Sequence, residues 1–185
     1  MRKCGFLLLN CISSMLSVFP MVFRRFLYGL IQPWGGAWAL AIRYAVSKSI
    51  LAGRCGERVA VYNNVELRNA QNITLGNSVS LHPFCYIDGY GGVRLGNNVS
   101  VAHGSSIISF EHTWSDSTLP IKYNPSVGGE IIIEDDVWVG CGVRILSSSY
   151  IESRVVVAAG AVVRGRLESG WIYGGVPAKK LKRLL

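Results

Sequence analysis

Aliphatic residues recur every six positions over most of this 185-residue chain. The longest unbroken series contains Ile133, Val139, Ile145, Ile151, Val157 and Val163. A period of six matches neither the period of about 3.6 of an α-helix nor the simple alternation of a strand. It is typical of a solenoid of short strands, three to a coil, in which a hexad buries its apolar face only when coils stack. The period therefore predicts an all-β protein, a parallel β-helix shaped as a triangular prism.

Each hexad has two positions that are expected to face the interior. Four residues after most of the periodic aliphatic residues comes a small or β-branched one, as Val137 follows Ile133. Asn, Gly, Asp and Ser collect between hexads, for example at 76–78, 96–98 and 135–136. These residue types suit tight turns. The pattern predicts walls of Val and Ile joined by short polar corners.

The period is broken by three longer intervals: Leu67 to Leu75, Ile87 to Leu95, and Ile107 to Ile133. The third interval predicts that residues 108–130 leave the prism as an extruded loop. Insertions of this kind are where repeat proteins concentrate their function. This loop contains Glu111, His112 and Asp116, and we place the candidate site there.

Positive charge is concentrated at the N-terminal end. Residues 1–58 contain eight Lys or Arg and a single acid, Glu57, whereas residues 59–185 contain eleven Lys or Arg and ten acids. We therefore predict an apolar, basic helical appendage at 1–58, a β-helix domain at 59–172, and a C-terminal tail with a short helix at 173–185. The prism is not basic, and no nucleic-acid motif is found, so a nucleic-acid partner is not expected.

Twenty residues without a charge, 4–23, lie between Arg2-Lys3 and Arg24-Arg25. Their length is that of a membrane span, although polar residues dilute them and no signal-peptide cleavage site follows. Three interpretations stay open. The segment forms helices in the membrane interface, anchored by Trp34 and Trp38; or it is a transmembrane anchor; or its helices cover the open first coil and pack on neighbouring subunits.

Five cysteines make an odd count without the spacing of metal ligands. Cys85 falls on an inward position and is expected to be a small core residue. Reduced thiols and a cytoplasmic location are the simplest interpretation.

Four segments (107–116, 129–140, 157–163 and 175–179) resemble the hexapeptide-repeat acyltransferases. The resemblance covers residues 59–185 and is greatest for the sugar O-acetyltransferase branch, which includes maltose and galactoside acetyltransferases and enzymes that acetylate surface polysaccharides. It implies a left-handed β-helix and a homotrimer with its sites between subunits. It also implies acetyl-CoA as co-substrate and a sugar hydroxyl as acceptor.

The resemblance places the family's catalytic histidine on His112, as the general base that takes the proton of the acceptor hydroxyl. Asp116 matches a site residue of the family, and either Glu111 or Asp116 would orient the imidazole. The donor to the developing oxyanion falls on the backbone amide of Cys141. Direct transfer without a covalent enzyme intermediate is expected.

The pantetheine of acetyl-CoA maps by the same resemblance to backbone groups of Gly140, Ala159 and Gly160. Trp138 is expected to point outward, where it would either line the pantetheine or acceptor pocket or contact a neighbouring subunit. The resemblance thus puts Cys141 in the middle of the cofactor site.

The nucleotide phosphates of the co-substrate require cations. The family's Thr-Lys at the end of the last coil is replaced here by Arg164-Gly165, so Arg164 and Arg166 are the expected phosphate contacts. Lys179 and Lys182 match later basic residues of the family. Solvated surface roles for the two arginines stay open.

The acceptor side departs from the family. Asp88 is retained and is expected to hold an acceptor hydroxyl, with His82 and Glu111 as further candidate contacts. The Asn that some relatives carry before this Asp is missing from 81–88, which argues against a galactoside or maltose acceptor. We expect a cell-surface polysaccharide or its precursor, reached by a peripheral enzyme at the inner face of the cytoplasmic membrane.

Other functions stay open at this point. An amino sugar or a xenobiotic amine would be acetylated by the same base. A zinc hydratase on the same prism needs three convergent histidines. This chain has three in total, His82, His103 and His112, and the spacing of nine between the last two does not match such a site, so no metal is expected. A non-catalytic trimeric scaffold is the last alternative.

Overall fold

The computed structural model describes residues 3–184, with side chains from residue 7 onward. Arg2, half of the first basic pair, lies outside the described residues. Three helices come first: α1 (Lys3–Leu16), α2 (Met21–Ile31) and α3 (Gly36–Ile50). They form the N-terminal appendage, and almost all of the remaining regular structure is strand.

The strands are short and follow one another at hexad spacing. In chain order they are β1 (Ala60–Val61), β2 (Glu66–Arg68), β3 (Ile73–Leu75), β4 (Ser80–Leu81), β5 (Tyr86–Asp88), β6 (Val93–Leu95), β7 (Ser100–Val101), β8 (Ser106–Ile108), β9 (Phe110–His112), β10 (Ser126–Gly128), β11 (Ile131–Ile133), β12 (Trp138–Val139), β13 (Arg144–Ile145), β14 (Tyr150–Ile151), β15 (Val156–Val157), β16 (Val162–Val163), β17 (Arg166–Leu167), β18 (Trp171–Gly174) and β19 (Lys179–Arg183). Two 3-10 turns, Ala70–Asn72 and Ile121–Tyr123, interrupt them.

Three sheets form the walls of the prism. The first has the order β1-β4-β7-β12-β15-β18-β19, the second β2-β5-β8-β13-β16 and the third β3-β6-β11-β14-β17. Each coil visits the first, second and third sheet in turn, and neighbouring coils pair in parallel. Five complete coils are formed and β18 begins a sixth. The predicted parallel β-helix with an N-terminal helical part is confirmed.

The periodic aliphatic residues stack in inward columns. In the third sheet, Leu75, Leu95, Ile133, Ile151 and Leu167 are in register from coil to coil. None of the five is more than 3% exposed. Full burial of such a side chain contributes about 1.5–3 kcal/mol, so the columns are the main source of stability and fix the register of the coils.

The corners turn through residues in the left-handed backbone region. In the last coils these residues are again six apart: Asp136, Gly142, Ser148, Arg154 and Gly160. The sequence prediction of polar corners misses two of the residue types found there, because Arg154 and Phe84 also adopt positive φ. Burial of the neighbouring inward side chains imposes this conformation on residues that do not favour it.

One corner between the third and first sheets has no room for a side chain. A Cβ on Gly76 would lie 2.5 Å from the carbonyl oxygen of Gly96 on the next coil. Gly29 in α2, by contrast, has no atom within 4 Å of the Cβ position. Replacing the glycine by alanine is therefore expected to have opposite effects on stability at the two positions.

We expect Gly76→Ala to lower the free energy of unfolding by about 1–3 kcal/mol, because two backbones must move apart. Gly29→Ala is expected to raise it by about 0.5–1 kcal/mol, because alanine is the better helix former. Urea unfolding at one fixed protein concentration measures both. Equal midpoints for Gly76→Ala and the wild type would contradict the stacked-corner explanation.

The predicted C-terminal helix is wrong. Residues Lys179–Arg183 form β19, which pairs antiparallel with β18 through a reversal that includes Gly175 at φ 92°. Trp171 of β18 also packs under Lys180, whose Nζ lies 4.9 Å from the ring centroid. The first sheet would otherwise end on an open edge, and pairing satisfies the backbone groups that a helix would leave exposed there.

The appendage closes the other end of the prism. Helices α1 and α2 pack on α3, and α3 packs on β1. Arg43 of α3 is only 2% exposed, and its guanidinium donates to the carbonyl oxygens of Val61 at 2.8 Å, Ile31 at 2.9 Å and Trp34 at 2.7 Å. Burial raises the pKa of Tyr28, whose hydroxyl donates to the first coil.

The helices therefore cover the first coil, as one of the three interpretations of this segment predicts. Their contact with neighbouring subunits stays a prediction. Within residues 3–184, no helix combines the length and the apolar character needed to cross a membrane.

Candidate active site

The three breaks in the period fall at one place in the fold. Leu67, Ile87 and Ile107 are stacked in the second sheet, and the residues that end the three intervals are stacked in the third sheet. All three insertions therefore lie at the edge between the second and third sheets, in successive coils. We call this edge, residues 69–72, 89–92 and 109–130, the insertion corner.

The longest insertion forms a two-stranded hairpin. β9 and β10 pair antiparallel, with His112 opposite Ser126 and Phe110 opposite Gly128. The hydroxyl of Thr113 donates to the carbonyl oxygen of Pro125 at 2.8 Å, which extends the pairing. His112 is thus held on a strand rather than on an irregular loop.

His112 is exposed and lines a cavity of about 390 Å³ together with Trp114 and Ser147. Its Nδ1 lies 3.3 Å from the hydroxyl oxygen of Ser126. The ring of Phe110 stands edge-on to the imidazole, with the centroids 6.1 Å apart. Two neighbours therefore fix the ring and leave Nε2 free of a partner among the described residues.

Ser126 is a residue that sequence reasoning missed. It lies fourteen positions from His112, in a segment with no period of its own. Only the register of the hairpin brings the two side chains together. The sequence signal that could have identified it is a hydroxyl-bearing residue close to the C-terminal end of the predicted loop, where the chain rejoins the prism.

Asp116 organises the loop. Its Oδ1 accepts from the backbone N–H of Thr118 at 2.9 Å and from the Thr118 hydroxyl at 2.6 Å, and these bonds lower the pKa of the carboxyl. The buried side chain of Asn124 bonds both the N–H and the carbonyl of Asp116. Among the described residues, Asp116 has no hydrogen bond to His112, so its catalytic role stays a prediction.

Glu111 lines the same cavity as His112 but has no hydrogen bond to the imidazole among the described residues. Its carboxylate pairs with the guanidinium of Arg164 at 2.9 Å, and the side chains are 36% and 65% exposed. Arg166 pairs with Glu152 at 2.6 Å and lies over the ring of Tyr150. Exposed pairs of this kind contribute about 1 kcal/mol or less, so a phosphate could replace the carboxylate on Arg164 at little cost.

Asp88 joins the two shorter insertions. It is 6% exposed, and its Oδ1 accepts from the Asn69 side-chain amide at 2.7 Å and from the backbone N–H of Tyr90 at 3.0 Å. The hydroxyl of Tyr86 lies 3.3 Å from the other oxygen. The carboxylate thus holds the corner in shape and leaves part of its second oxygen for a ligand.

Beside Asp88 lies a larger cavity of about 720 Å³. Tyr28 and Arg25 of α2 form one wall, and Arg68, Tyr86 and Phe110 belong to the others. Phe110 lines this cavity and His112, two residues later, lines the smaller one. The two cavities are therefore neighbours, and the contribution of α2 to this site could not be read from the sequence.

The predicted pantetheine residues lie elsewhere. Gly140, Cys141, Ala159 and Gly160 occupy the edge between the first and second sheets, which we call the first corner. A Cβ on Gly140 would lie 2.7 Å from the nitrogen of Ala159, so the coils stack backbone to backbone here, and Ala159 and Gly160 are exposed at this corner. Among the described residues, the N–H of Cys141 has no hydrogen-bond partner, as an oxyanion donor requires.

Other predicted residues belong to this side of the molecule. His82 stacks on Tyr62 at the first corner, with the ring centroids 4.9 Å apart. Trp138 is 56% exposed on the outer face of the first sheet. Lys179 and Lys182 lie on β19 at the end of the same sheet, and no ion pair to either is found within residues 3–184.

The predicted site residues are thus divided between two edges of one prism. His112, Glu111, Asp116, Asp88, Arg164 and Arg166 lie at or beside the insertion corner. The oxyanion donor and the pantetheine surface lie at the first corner, and the width of the second sheet separates the two. A single chain therefore does not bring these residues into one site, and the sites between subunits that the resemblance implies stay a prediction.

Across the described residues, no group of three or more His, Cys, Asp and Glu side chains converges closely enough to hold a metal ion. His112 lies at the insertion corner, whereas His82 and His103 lie at the first corner. A site made of the three histidines would therefore need two copies of the chain.

The model of the family described as bacterial transferase hexapeptide (six repeats) matches residues 130–165. A probable acetyltransferase of Mycobacterium tuberculosis is 32% identical over 111 residues, which are 60% of this chain and 37% of that protein. A mitochondrial gamma carbonic anhydrase of Arabidopsis thaliana is 34% identical over 51% of this chain and 41% of its own length. This chain thus spans about two fifths of these relatives.

A third relative, from Escherichia coli K12, carries a name that refers to O-acetyl transfer in lipopolysaccharide biosynthesis. It is 28% identical over 60% of both chains.

Two solved structures show the same fold. A hexapeptide-repeat-containing acetyltransferase of Vibrio cholerae, solved with acetyl coenzyme A, superposes with a TM-score of 0.75 at 21% identity, over 100% of this chain and 91% of that one. A maltose O-acetyltransferase of Clostridium difficile gives a TM-score of 0.74 at 24% identity, over 92% and 89%. The resemblance to the hexapeptide-repeat transferases is confirmed: this chain carries that repeat on that fold.

Proposed function

We propose that this protein transfers the acetyl group of acetyl-CoA to a hydroxyl of a sugar, with His112 as the general base. The observation that carries the proposal is the placement of His112. Its imidazole is fixed by Ser126 and Phe110 on the extruded hairpin and faces an open cavity. An imidazole that titrates near neutral pH suits proton transfer from an alcohol.

The geometry assigns the two ring nitrogens. When Nδ1–H donates to the Ser126 hydroxyl, Nε2 carries the lone pair and takes the proton of the acceptor hydroxyl as its oxygen attacks the thioester carbon. The N–H of Cys141 from a neighbouring subunit stabilises the negative charge that develops on the carbonyl oxygen. The carbon–sulfur bond then breaks, and the proton on Nε2 passes to the departing thiolate.

The larger cavity is the proposed acceptor site. It combines a carboxylate, guanidinium groups and aromatic rings (Asp88, Arg68, Tyr86 and Phe110), which together can bond and stack on the hydroxyl-rich faces of a sugar ring. Its volume of about 720 Å³ is within the usual range for small-molecule sites, about 300–1,000 Å³. The relative named for lipopolysaccharide biosynthesis supports a sugar of a surface polysaccharide or its precursor.

We further propose a homotrimer whose sites lie between subunits. The base and the acceptor cavity lie at the insertion corner, while the oxyanion donor and the pantetheine surface lie at the first corner. Two neighbouring copies would bring one corner of each kind together. In a closed ring of three copies, the same contact forms at each interface, so that every insertion corner faces the first corner of a neighbouring copy.

Complementation between two inactive variants tests this arrangement. His112→Ala removes the base, and Ala159→Glu puts a charged side chain on the exposed first corner of an otherwise intact chain. Each variant alone is expected to be inactive, whereas trimers refolded from an equal mixture should regain about one quarter of wild-type activity, because about one interface in four combines two intact corners. Failure to regain activity in trimers shown to be mixed would contradict a shared site.

The activity itself is tested with the purified full-length protein and acetyl-CoA. A panel of neutral sugars, amino sugars and polysaccharide fragments is screened for thiol release, and the acetylated product is located by mass spectrometry. Acetyl esters are expected on neutral sugars. Acetylation only of the amino sugars would replace the O-acetyl proposal by N-acetyl transfer, and no acceptor-dependent release across the panel would count against both.

The similarity to gamma carbonic anhydrase favours one second candidate, a zinc-dependent hydratase. Its ligands would be His112 of one copy with His82 and His103 of another. Metal analysis of the purified protein distinguishes the two functions. Zinc at one atom per chain, together with hydration of carbon dioxide, would overturn the acetyltransferase proposal.

A further inference from the structure

The exposed apolar residues of this protein are concentrated on its helices. Of the 23 large hydrophobic side chains that are exposed among the described residues, 13 fall between residues 7 and 42. That segment is about a fifth of the chain. Single exposed apolar residues are ordinary, but a concentration of this kind marks a surface that binds something.

Each of the first two helices is apolar on both sides. On α1, Leu8, Ile12 and Met15 share one exposed face, while Leu9 and the partly buried Leu16 lie on a different face that packs toward the core. Covering the prism uses only the inner face of the helix. The outer face has no contact within the described part of the chain that accounts for its composition.

The second helix repeats this arrangement. Val22, Phe26 and Leu30 are exposed on one face of α2, at 80%, 60% and 52%, while Tyr28 and Ile31 on the other face are buried. We call the exposed apolar residues between positions 7 and 42, on the helices and their connections, the appendage surface.

Two tryptophans belong to the appendage surface. Trp38 on α3 is 86% exposed and Trp34 just before it is 56% exposed. Tryptophan next to basic residues is characteristic of segments that lie at the level of lipid headgroups. Arg25, exposed on α2, lies beside the apolar face of that helix.

The charge of the N-terminal segment indicates what the appendage surface binds. The first 56 residues contain no acidic side chain, and the first 58 contain eight Lys or Arg, of which Arg43 is buried and does not reach the surface. A second copy of the same surface would bring positive charge against positive charge. An anionic bilayer is complementary, since each basic residue near such a surface contributes about 1 kcal/mol to binding.

We propose that the appendage surface binds an anionic lipid bilayer, with the helices lying in its interface. This inference does not depend on the acetyltransferase activity. It has a consequence for the site, because α2 presents Phe26 to the appendage surface and Tyr28 to the acceptor cavity. The bilayer and the cavity would then be about one helix diameter apart, roughly 10 Å.

Flotation of the full-length protein with vesicles tests the proposal. We expect it to float with vesicles containing phosphatidylglycerol, less with pure phosphatidylcholine, and less with the phosphatidylglycerol vesicles when the salt concentration is high. The double variant Trp34→Ser/Trp38→Ser, and separately Val18→Ser/Val22→Ser, should bind the anionic vesicles at least about tenfold more weakly, since each removes two exposed apolar side chains. Val176→Ser, exposed at 74% on the far end of the prism, is the matched control and should float as the wild type does.

Several results would overturn the proposal. One is wild-type protein that stays at the bottom of the gradient with phosphatidylglycerol vesicles. Another is a pair of variants that are folded by circular dichroism and float unchanged. A third is a variant that changes the oligomer size in sedimentation but not vesicle binding, which would make the appendage surface an interface between copies.

Discussion

Replacing His112 by alanine is expected to lower the rate of acetyl transfer by about 10²- to 10⁴-fold, the usual contribution of a general base. The fold should not change, because the side chain is exposed and its contacts are one hydrogen bond and one ring edge. The melting temperature should therefore stay within the error of the wild-type value. Loss of rate without loss of stability is the result that identifies a catalytic group.

Two further variants make this experiment specific. Ser126→Ala removes a single hydrogen bond to Nδ1 and is expected to slow transfer by about tenfold or less, in line with the value of about 0.5–1.5 kcal/mol for one such bond. The KM for acetyl-CoA should not change. His103→Ala, at an exposed histidine of the first corner, should leave the rate unaltered.

Wild-type turnover in His112→Ala would contradict the assignment. Retained acetyl transfer would mean that another group is the base. Absence of acetyl transfer in both proteins would count against the acetyltransferase proposal as a whole.

Replacing Arg43 by methionine is expected to lower the free energy of unfolding by about 3 kcal/mol or more. Methionine keeps much of the apolar volume but leaves the carbonyl oxygens of Val61, Ile31 and Trp34 without their donor. Each buried polar group left unpaired costs about 1–3 kcal/mol. Burial lowers the pKa of Arg43, because loss of solvent disfavours the charged guanidinium, and the three carbonyl acceptors offset that cost.

Arg43→Lys and Arg54→Met are the controls. Lysine keeps the charge but cannot reproduce the planar fork that reaches three carbonyls, so an intermediate loss is expected. Arg54 is exposed, and its replacement by methionine should change stability by no more than about 0.5 kcal/mol. Thermal and urea unfolding measure the series, and an Arg43→Met midpoint equal to that of Arg54→Met would refute the role given to Arg43.

The fold was largely predictable because the periodic residues act locally and repeat. A hexad such as the one from Ile133 to Val137 has one way to bury both apolar positions, and each later hexad repeats it. The C-terminal segment has no such period. It was predicted as helix and is strand β19, because its partner is the open edge of β18 and not its own neighbours in sequence.

The site was predictable only in part. His112 could be placed because it lies in the one long break of the period. Ser126 and the α2 wall of the acceptor cavity could not, since both reach the site from distant positions through tertiary pairing. The roles of Asp116 and Glu111 stay predictions, and in this structure their carboxylates bond Thr118 and Arg164.

The sequence by itself determined that this chain winds into a parallel β-helix, because a six-residue apolar period can be buried only by stacking coils. It also determined that one insertion carries the candidate base. The tertiary structure decided which residues share an edge. Leu67, Ile87 and Ile107 lie about one coil apart in sequence and meet only through stacking, which gathers three insertions at one corner. The same stacking holds Cys141 at another corner, so a second copy of the chain is required before the proposed site is complete.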